Sequence, residues 1–419
     1  MTRSRATAIV VAACALPRVA VLLHEKAAIF DHIEKSDIIA RRFLASGTFG
    51  YVPGDPSAYT QPVYGWFLIA VYWVAGRHWW SLGTAQVLIA IATALAVHEI
   101  GRRFLSPRVG LVAALVATLQ PYLVWHDVHG NREIIDQLLG AAVFGLALAA
   151  RSRAGGAAVG AACGLAILSN TRLVLLPVVL ALFLLRRRLT LQAAALVLVA
   201  TAVVLAPWVI RNKVEVGCFA ITTDARALWK ANNLGTYRVL SHGGWIDAVP
   251  DIPERAHGHV PNEWRTPQEA GDIYVSSGRR IHVDECMQQR HYEHLVVQFW
   301  EHHPGAKAKL VAQATEMMWN PKLGEENEGS SSLARNVVEP LYVVPLYLLA
   351  IAGLFVVPAA VRMLAILFVA YETVAAWVFA GTTRYRVPWD FVLALLAAAA
   401  IERLLARARP PFRSASQKR

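Results

Sequence analysis

The sequence predicts an all-α polytopic membrane protein of about ten spans, with a short helix on the outer membrane surface and one large outer loop. Three observations carry that prediction. Of 419 residues, 56% are hydrophobic and only 17% charged, far more apolar than a soluble domain of this size. The apolar residues come in membrane-length blocks instead of alternating at helix or strand period. Short loops rich in arginine also alternate with loops that hold acids and histidines, the charge asymmetry of a chain threaded through a bilayer.

The apolar stretches run over 7–23, 62–76, 85–100, 107–125, 134–150, 155–169, 172–185, 191–210, 338–359, 363–380 and 387–402. Charge resolves the parity of this odd number. If 62–76 spans and the N-terminus is cytoplasmic, Arg102, Arg103, Arg108, Arg151, Arg153 and Arg186 to Arg188 all face outward, against the positive-inside bias. If 62–76 lies on the outer surface, those turns become cytoplasmic, as do Arg362 and the basic tail. Its aromatics, Tyr64, Trp66, Phe67, Tyr72 and Trp73, suit an interfacial belt. No small-x-small cleavage site precedes His24-Glu25-Lys26, so the first stretch reads as an uncleaved span. The organisation expected is an N-terminal membrane module over 1–210 with a first outer loop at 24–84. An extracytoplasmic loop or small helical domain follows over 211–337, then membrane helices over 338–402 and a basic cytoplasmic tail over 403–419. In the large loop, 284–303 and 305–319 have helical spacing, with Pro304 between them suited to a helix start.

The net charge of +12 sits mainly in the arginine turns and the tail, which fits anchoring against anionic lipid and excludes a nucleic-acid groove. Cys14 and Cys163 fall inside spans, as packing residues. Cys218 and Cys286 fall in the loop assigned to the outside, where oxidation is open to them, although nothing in the sequence sets their separation.

The candidate chemistry gathers at the outer ends. Asp31, Glu34 and Asp37 follow the first span at headgroup depth. They are either helix N-terminal acids or a general base for an acceptor hydroxyl. His126, Asp127, His129, Arg132 and Glu133 lie where the chain re-enters lipid; Arg132 is suited to a phosphate, with Asp127 or Glu133 orienting it. Arg172 lies between two stretches with no room for a loop, and Arg384 and Arg386 flank Tyr385. Outer arginines oppose the topology bias, so they either pair with these acids or neutralise a leaving phosphate. Arg18 in the first span has the option of snorkelling outward. Glu372 in mid-span is a functional candidate or a buried structural hydrogen bond. No cofactor signature is present. A divalent metal is left open, with His126-x-x-His129 as its weak candidate pair. Soluble acids and arginines at one face of a lipid-embedded bundle suggest a lipid-linked anionic substrate. The rival reading, a transporter or flippase of a lipid-linked sugar, calls for paired acids in mid-membrane and repeated halves; only Glu372 fits, and no repeat is visible.

Several stretches resemble the GT-C glycosyltransferases, the polyprenyl-phosphate-sugar enzymes related to aminoarabinose transferases and protein O-mannosyltransferases. Ala40-Arg-Arg-Phe-Leu-Ala-Ser-Gly47, then Tyr59-Thr-Gln-Pro62-Val-Tyr64-Gly65-Trp66, resembles their first outer loop. Gly101-Arg-Arg-Phe-Leu-Ser-Pro-Arg-Val-Gly110 is similar to an inner turn. Pro207-Trp208-Val-Ile-Arg211-Asn212 and Leu228-Trp229-Lys-Ala-Asn232-Asn233 resemble the start of the large loop, and Arg384-Tyr385-Arg386-Val-Pro388 the last outer turn. The resemblance covers about 1–240 and 338–402 and implies a GT-C-type bundle in a bacterial inner membrane, with both termini cytoplasmic. It implies inverting transfer from a polyprenyl-phosphate sugar to a glycan, lipid or protein acceptor at the extracytoplasmic face. It maps the family's first acid nearest Asp31, leaving Glu34 and Asp37 as alternatives because Ser36 stands where tyrosine is expected. The second acid falls on Asp127 or Glu133, and a basic residue on Lys35; Gln61 stands where some members carry lysine.

Overall fold

The structure, a computed structural model, describes residues 2–30, 35–255, 260–324 and 332–408. In chain order its helices are α1 (Arg3–Glu25), α2 (Lys35–Ser46), α3 (Pro62–Ala75), α4 (Trp79–Phe104), α5 (Pro107–Thr118), α6 (Pro121–His126), α7 (Glu133–Ala149), α8 (Arg153–Ser169), α9 (Leu176–Arg186) and α10 (Leu191–Glu215). The large loop contributes α11 (Ala225–Lys230), α12 (Thr236–Ser241), α13 (Pro267–Ser277), α14 (Glu285–His302) and α15 (Pro304–Trp319). The chain then returns through α16 (Glu339–Leu354), α17 (Ala359–Phe379), α18 (Thr383–Arg386) and α19 (Asp390–Ala408). Among the described residues, extended pairing is limited to a single bridge between Val52 and Asp55.

Among the described residues, five helical segments are long and apolar enough to cross a membrane: α1, α4, α10, Ala334–Leu354 and α17. Not every expected stretch forms one full-length helix. The stretch 62–76 becomes α3, whose 14 residues fall short of the roughly 20 that a span needs. The stretch 107–125 breaks into α5 and α6, because Pro121 has no N–H to continue the helix. The Gln120 side chain caps α6 by accepting from the Leu123 N–H at 2.6 Å, and Arg18 takes up the freed Thr118 carbonyl at 2.9 Å. The stretch 172–185 begins as a 3-10 turn, Thr171–Leu173, before α9.

The largest core joins α4, α5, α7, α8, α9, α16, α17 and α19 around Phe144, which meets Phe368 and Phe391 edge-on at 5.1 and 5.8 Å. Truncating such a buried ring to alanine typically costs about 3–5 kcal/mol. A second core packs α1, α3 and α4 around Leu22, Tyr64 and Leu68. The α8–α10 pair is unusually close. A Cβ on Gly156 or Gly160 meets the Ala193 or Val197 carbonyl oxygen, and the Thr201 hydroxyl donates to the Gly160 carbonyl at 2.9 Å. Small residues at a helical interval allow this approach, which in lipid replaces hydrophobic drive with contact. A Cys218–Cys286 disulfide ties the end of α10 to α14.

Candidate functional site

The site is built on the start of α7. Asn131 fixes the turn before it: its amide donates to the carbonyls of His126 and His129 at 2.6 and 2.9 Å, and its oxygen caps Ile134 N–H at 3.1 Å. Gln86 of α4 adds two donations, to the Asp127 and His129 carbonyls, each at 2.7 Å. Arg132 and Glu133 are thereby presented at the helix mouth.

Glu133 is 1% exposed and forms a bidentate pair with Arg384, with Nε and Nη2 at 2.8 and 3.1 Å. Arg132 Nε stands 3.8 Å from the same carboxylate, and Arg132 Nη1 donates to Gln61 Oε1 at 2.6 Å. Gln61 in turn donates to Thr171 Oγ1 at 3.3 Å, one residue before Arg172. The Arg172 guanidinium is buried, lies 4.1 Å from the centre of the Tyr385 ring and donates to the Ala380 carbonyl at 3.0 Å. Its Nε, also buried, has no hydrogen-bond partner among the described residues. Asp136, one helical turn after Glu133, accepts from Ser169 Oγ at 2.6 Å and Asn170 Nδ2 at 3.0 Å. Three guanidiniums from three separate chain segments therefore surround two carboxylates. The three guanidinium forks, held where water is scarce with the buried Glu372 carboxyl also beside Arg172 and Asp136, are suited to an anion with several oxygens.

A second polar group joins the two outer loops beside it. Lys35 Nζ lies 2.8 Å from Asp224 Oδ2 and 4.4 Å from the centre of the Tyr59 ring. Burial would push the Lys35 ammonium down, but the Asp224 carboxylate outweighs it and holds it above the ordinary lysine range. Burial, then the Asp224 charge, pushes the Tyr59 hydroxyl up to about 12. Arg226 and Arg255 converge on Asp251 at 2.7 and 2.9 Å. Glu285 accepts from Ala58 N–H at 3.0 Å and from Thr223 Oγ1 at 2.5 Å, next to the disulfide at Cys286.

Other candidates sit in networks of their own. Asp37 is filled by Tyr72, Arg77 and Arg41, with Tyr72 Oη at 2.6 Å and the two Nε atoms at 2.9 and 3.0 Å. Asp127 is 0% exposed and paired with Arg18 Nε and Nη2 at 2.9 and 2.7 Å. Arg18 therefore turns into the bundle, correcting the expectation that it snorkels outward. Arg386, 1% exposed, donates to Tyr347 Oη at 2.7 Å and stands beside Asp390 and Glu339. Asp31 and Glu34 lie outside the described residues. His126 stacks on Tyr122, with Nε2 3.7 Å from Glu133, whereas Nδ1 of His129 meets the Trp125 carbonyl and Nε2 faces Glu25. The two imidazoles thus have different partners. Among the described residues no three His, Cys, Asp or Glu side chains gather as a metal-ion set.

Sequence reasoning missed Asp136 and Asp224. Asp136 could have been flagged as an ionisable residue inside an apolar stretch, spaced three residues from Glu133 and so on the same helix face. Asp224 had no such signal, because its partner is 189 residues away.

Residues 56–210 match the family profile of dolichyl-phosphate-mannose-protein mannosyltransferases. No curated protein sequence matches. Among solved structures, the chain is similar to ArnT from Cupriavidus metallidurans bound to undecaprenyl phosphate, at 17% identity and a TM-score of 0.42, covering 93% of this chain and 78% of that one. It is similar to the oligosaccharyltransferase AglB from Archaeoglobus fulgidus in complex with an inhibitory peptide and a dolichol-phosphate, at 12% identity and a TM-score of 0.52, covering 96% and 50%. The apo form of that oligosaccharyltransferase gives 12% and 0.53, covering 96% and 51%. The chain thus shares its membrane fold with the archaeal enzyme and spans about half of that enzyme's length.

Proposed function

We infer that this chain is a membrane glycosyltransferase of the GT-C type, taking its sugar from a polyprenyl-phosphate donor. The family match over 56–210 and the fold shared with a dolichol-phosphate-bound oligosaccharyltransferase support that class. The transport alternative draws no support from either. The observation that carries the reading is the convergence of Arg132, Arg172 and Arg384 on the mouth of α7. A phosphate monoanion or diester seated there meets guanidinium forks, and Arg172 Nε supplies a buried donor still unused.

In the reaction, an acceptor hydroxyl attacks the anomeric carbon from the side opposite the phosphate. The new C–O bond forms as the sugar–phosphate bond breaks with inversion. The bonding pair leaves on the phosphate oxygen, where the guanidiniums stabilise the developing charge. The acceptor proton passes to a carboxylate of the first outer loop. With Asp37 saturated by four donors, we assign that role to Asp31, with Glu34 as the alternative. Lys35 and Asp224 tie that loop to the large loop.

The orientation that best fits is ten spans with α3 on the outer surface, both termini cytoplasmic, and the site facing the outside of a bacterial inner membrane. The arginine-rich inner turns and a Cys218–Cys286 disulfide, a bond of oxidising compartments, support it. Purified protein given a labelled polyprenyl-phosphate sugar and a mixed acceptor fraction should transfer label. Asp31→Asn should abolish transfer without lowering the melting temperature, and full activity of that variant moves the role to Glu34. A reporter fused after Ser106 should read cytoplasmic; an external reading reverses the topology.

A further inference from the structure

Arg172 is the most deeply buried of the three site guanidiniums, yet it sits on a turn of only three residues, Thr171–Leu173. Such a turn has little intrinsic rigidity, so something must set its direction. Asn170 caps it, its side-chain oxygen accepting from Arg172 N–H at 3.2 Å. An asparagine side chain has two faces, a donor amide and an acceptor oxygen, and either is free to point at the turn unless a neighbour decides. Asp136 is that neighbour. Its Oδ2 takes the Asn170 Nδ2 at 3.0 Å, while its Oδ1 takes Ser169 Oγ at 2.6 Å. With the carboxylate an acceptor, the amide must face α7 and the oxygen must face Arg172. Inverting Asn170 would set oxygen against oxygen on one side and N–H against N–H on the other, in a place where Asp136 and Ser169 are each 1% exposed. Asp136 and Glu133 share one face of α7, so a single helix orients two of the arginines: Arg384 through Glu133 directly, and Arg172 through Asp136 and Asn170.

We propose that Asp136 is a positioning residue that fixes the orientation of Asn170, and through it aims the Arg172 guanidinium at the phosphate of the lipid donor. This rests on the reading of Arg172 as a phosphate ligand. The hydrogen-bond logic predicts a specific repair. Asp136→Asn still satisfies both neighbours, by turning its oxygen to the Asn170 amide and its own amide to the Ser169 hydroxyl, which accepts, whereas Asp136→Ala removes both acceptors and frees the turn. Asn170→Asp places two carboxylates against each other. The exchange variant carrying both changes restores every bond: the new amide at 136 donates to the new carboxylate at 170, which still accepts from Arg172 N–H, and Ser169 still donates to the side chain at 136.

The test uses the full chain in detergent and measures binding of undecaprenyl phosphate, with undecaprenol as the probe lacking the phosphate. Arg172→Ala should weaken the phosphate lipid about ten- to hundredfold, the range for a hydrogen bond to a charged group, and leave the alcohol unchanged. Asp136→Ala and Asn170→Asp should each weaken the phosphate lipid by roughly tenfold with the alcohol unchanged, Asp136→Asn alone should bind as wild type, and in the exchange variant it should bring Asn170→Asp back to within about twofold of wild type. If Arg172→Ala weakens binding but the exchange variant recovers nothing, the positioning role is overturned and the phosphate reading stands. If Arg172→Ala changes nothing, the phosphate reading itself falls, and the proposal with it. If Asp136→Ala and Asn170→Asp weaken phosphate and alcohol equally, Asp136 is a packing residue and the proposal is overturned. Should Asn170→Asp fail to fold, Asn170→Ala, which removes the cap on Arg172 N–H without adding a charge, takes its place in the comparison of phosphate with alcohol.

Discussion

Arg384 and Arg386 stand two residues apart and live in different chemistry. Arg386 is buried among Asp390, Glu339, the Tyr347 hydroxyl and the carbonyls of Met318 and Asn320, with its Nη2 making no hydrogen bond among the described residues. Arg384 has the Glu133 carboxylate on one side and keeps over a third of its side chain exposed. The same contrast separates the partners of two buried acids six residues apart: Arg18 on Asp127 is shut in, whereas Arg384 on Glu133 is partly exposed. In an apolar bundle, an ion pair with both partners shut away from water fastens helices. A pair with one partner partly exposed at a mouth is one that a substrate can reach. Charge at an outer boundary is thus a poor guide until the partners of each group are counted.

The largest effect that would break this contrast is in the closed set. Arg18→Met leaves Asp127 buried without its guanidinium, a loss of about 3–5 kcal/mol. It should appear as a large fall in melting temperature in detergent, and a variant as stable as wild type would mean that the pair fastens nothing. Next comes the open set. Arg384→Ala should lower the melting temperature less than Arg18→Met, because Arg132 stays 3.8 Å from Glu133, and lower kcat by about 10²–10³, the usual result of removing one donor from a developing negative charge. A purely thermal effect with intact turnover would place Arg384 with Arg386 after all. The smallest effect sharpens the comparison in the large loop. Burial pushes the Asp251 and Glu269 carboxyls up, but hydrogen bonds from Arg226 and Arg255 outweigh it, so both sit below their ordinary range. A carboxylate depressed on folding adds stability above its unfolded pKa, about 4, and loses it as pH falls through the folded value. Hydrogen-exchange protection of α13 should therefore weaken below about pH 4 before the membrane helices loosen.

Much of the scaffold was legible because lipid imposes simple rules: apolar length, arginine on one side, proline at helix starts. Hydropathy did not show where a stretch changes direction. The break that Pro121 makes is completed by Arg18, about a hundred residues away, which donates to the Thr118 carbonyl. The site was legible by residue type, since Arg132, Glu133, Arg172 and Arg384 all stood out as polar groups at apolar boundaries. Their grouping was not, because it depends on Gln61 and Glu133 reaching across 71 and 251 positions. Asp136 escaped notice for a related reason. A single acid within leucines and glycines gives no sign of what it holds until Ser169 and Asn170 are brought against it.

The link between Cys218 and Cys286 encloses 68 positions of chain in a covalent ring, and that ring contains Asp224, Asp251 and Glu269. A protease cut anywhere inside it severs the backbone without parting the pieces. Nicked protein should run as one band on a gel without reductant and as two with it. Glu285, beside the sulfur bridge, would still be tethered against Ala58, so the arm leading to Gln61 can keep its seat through damage that would otherwise free it.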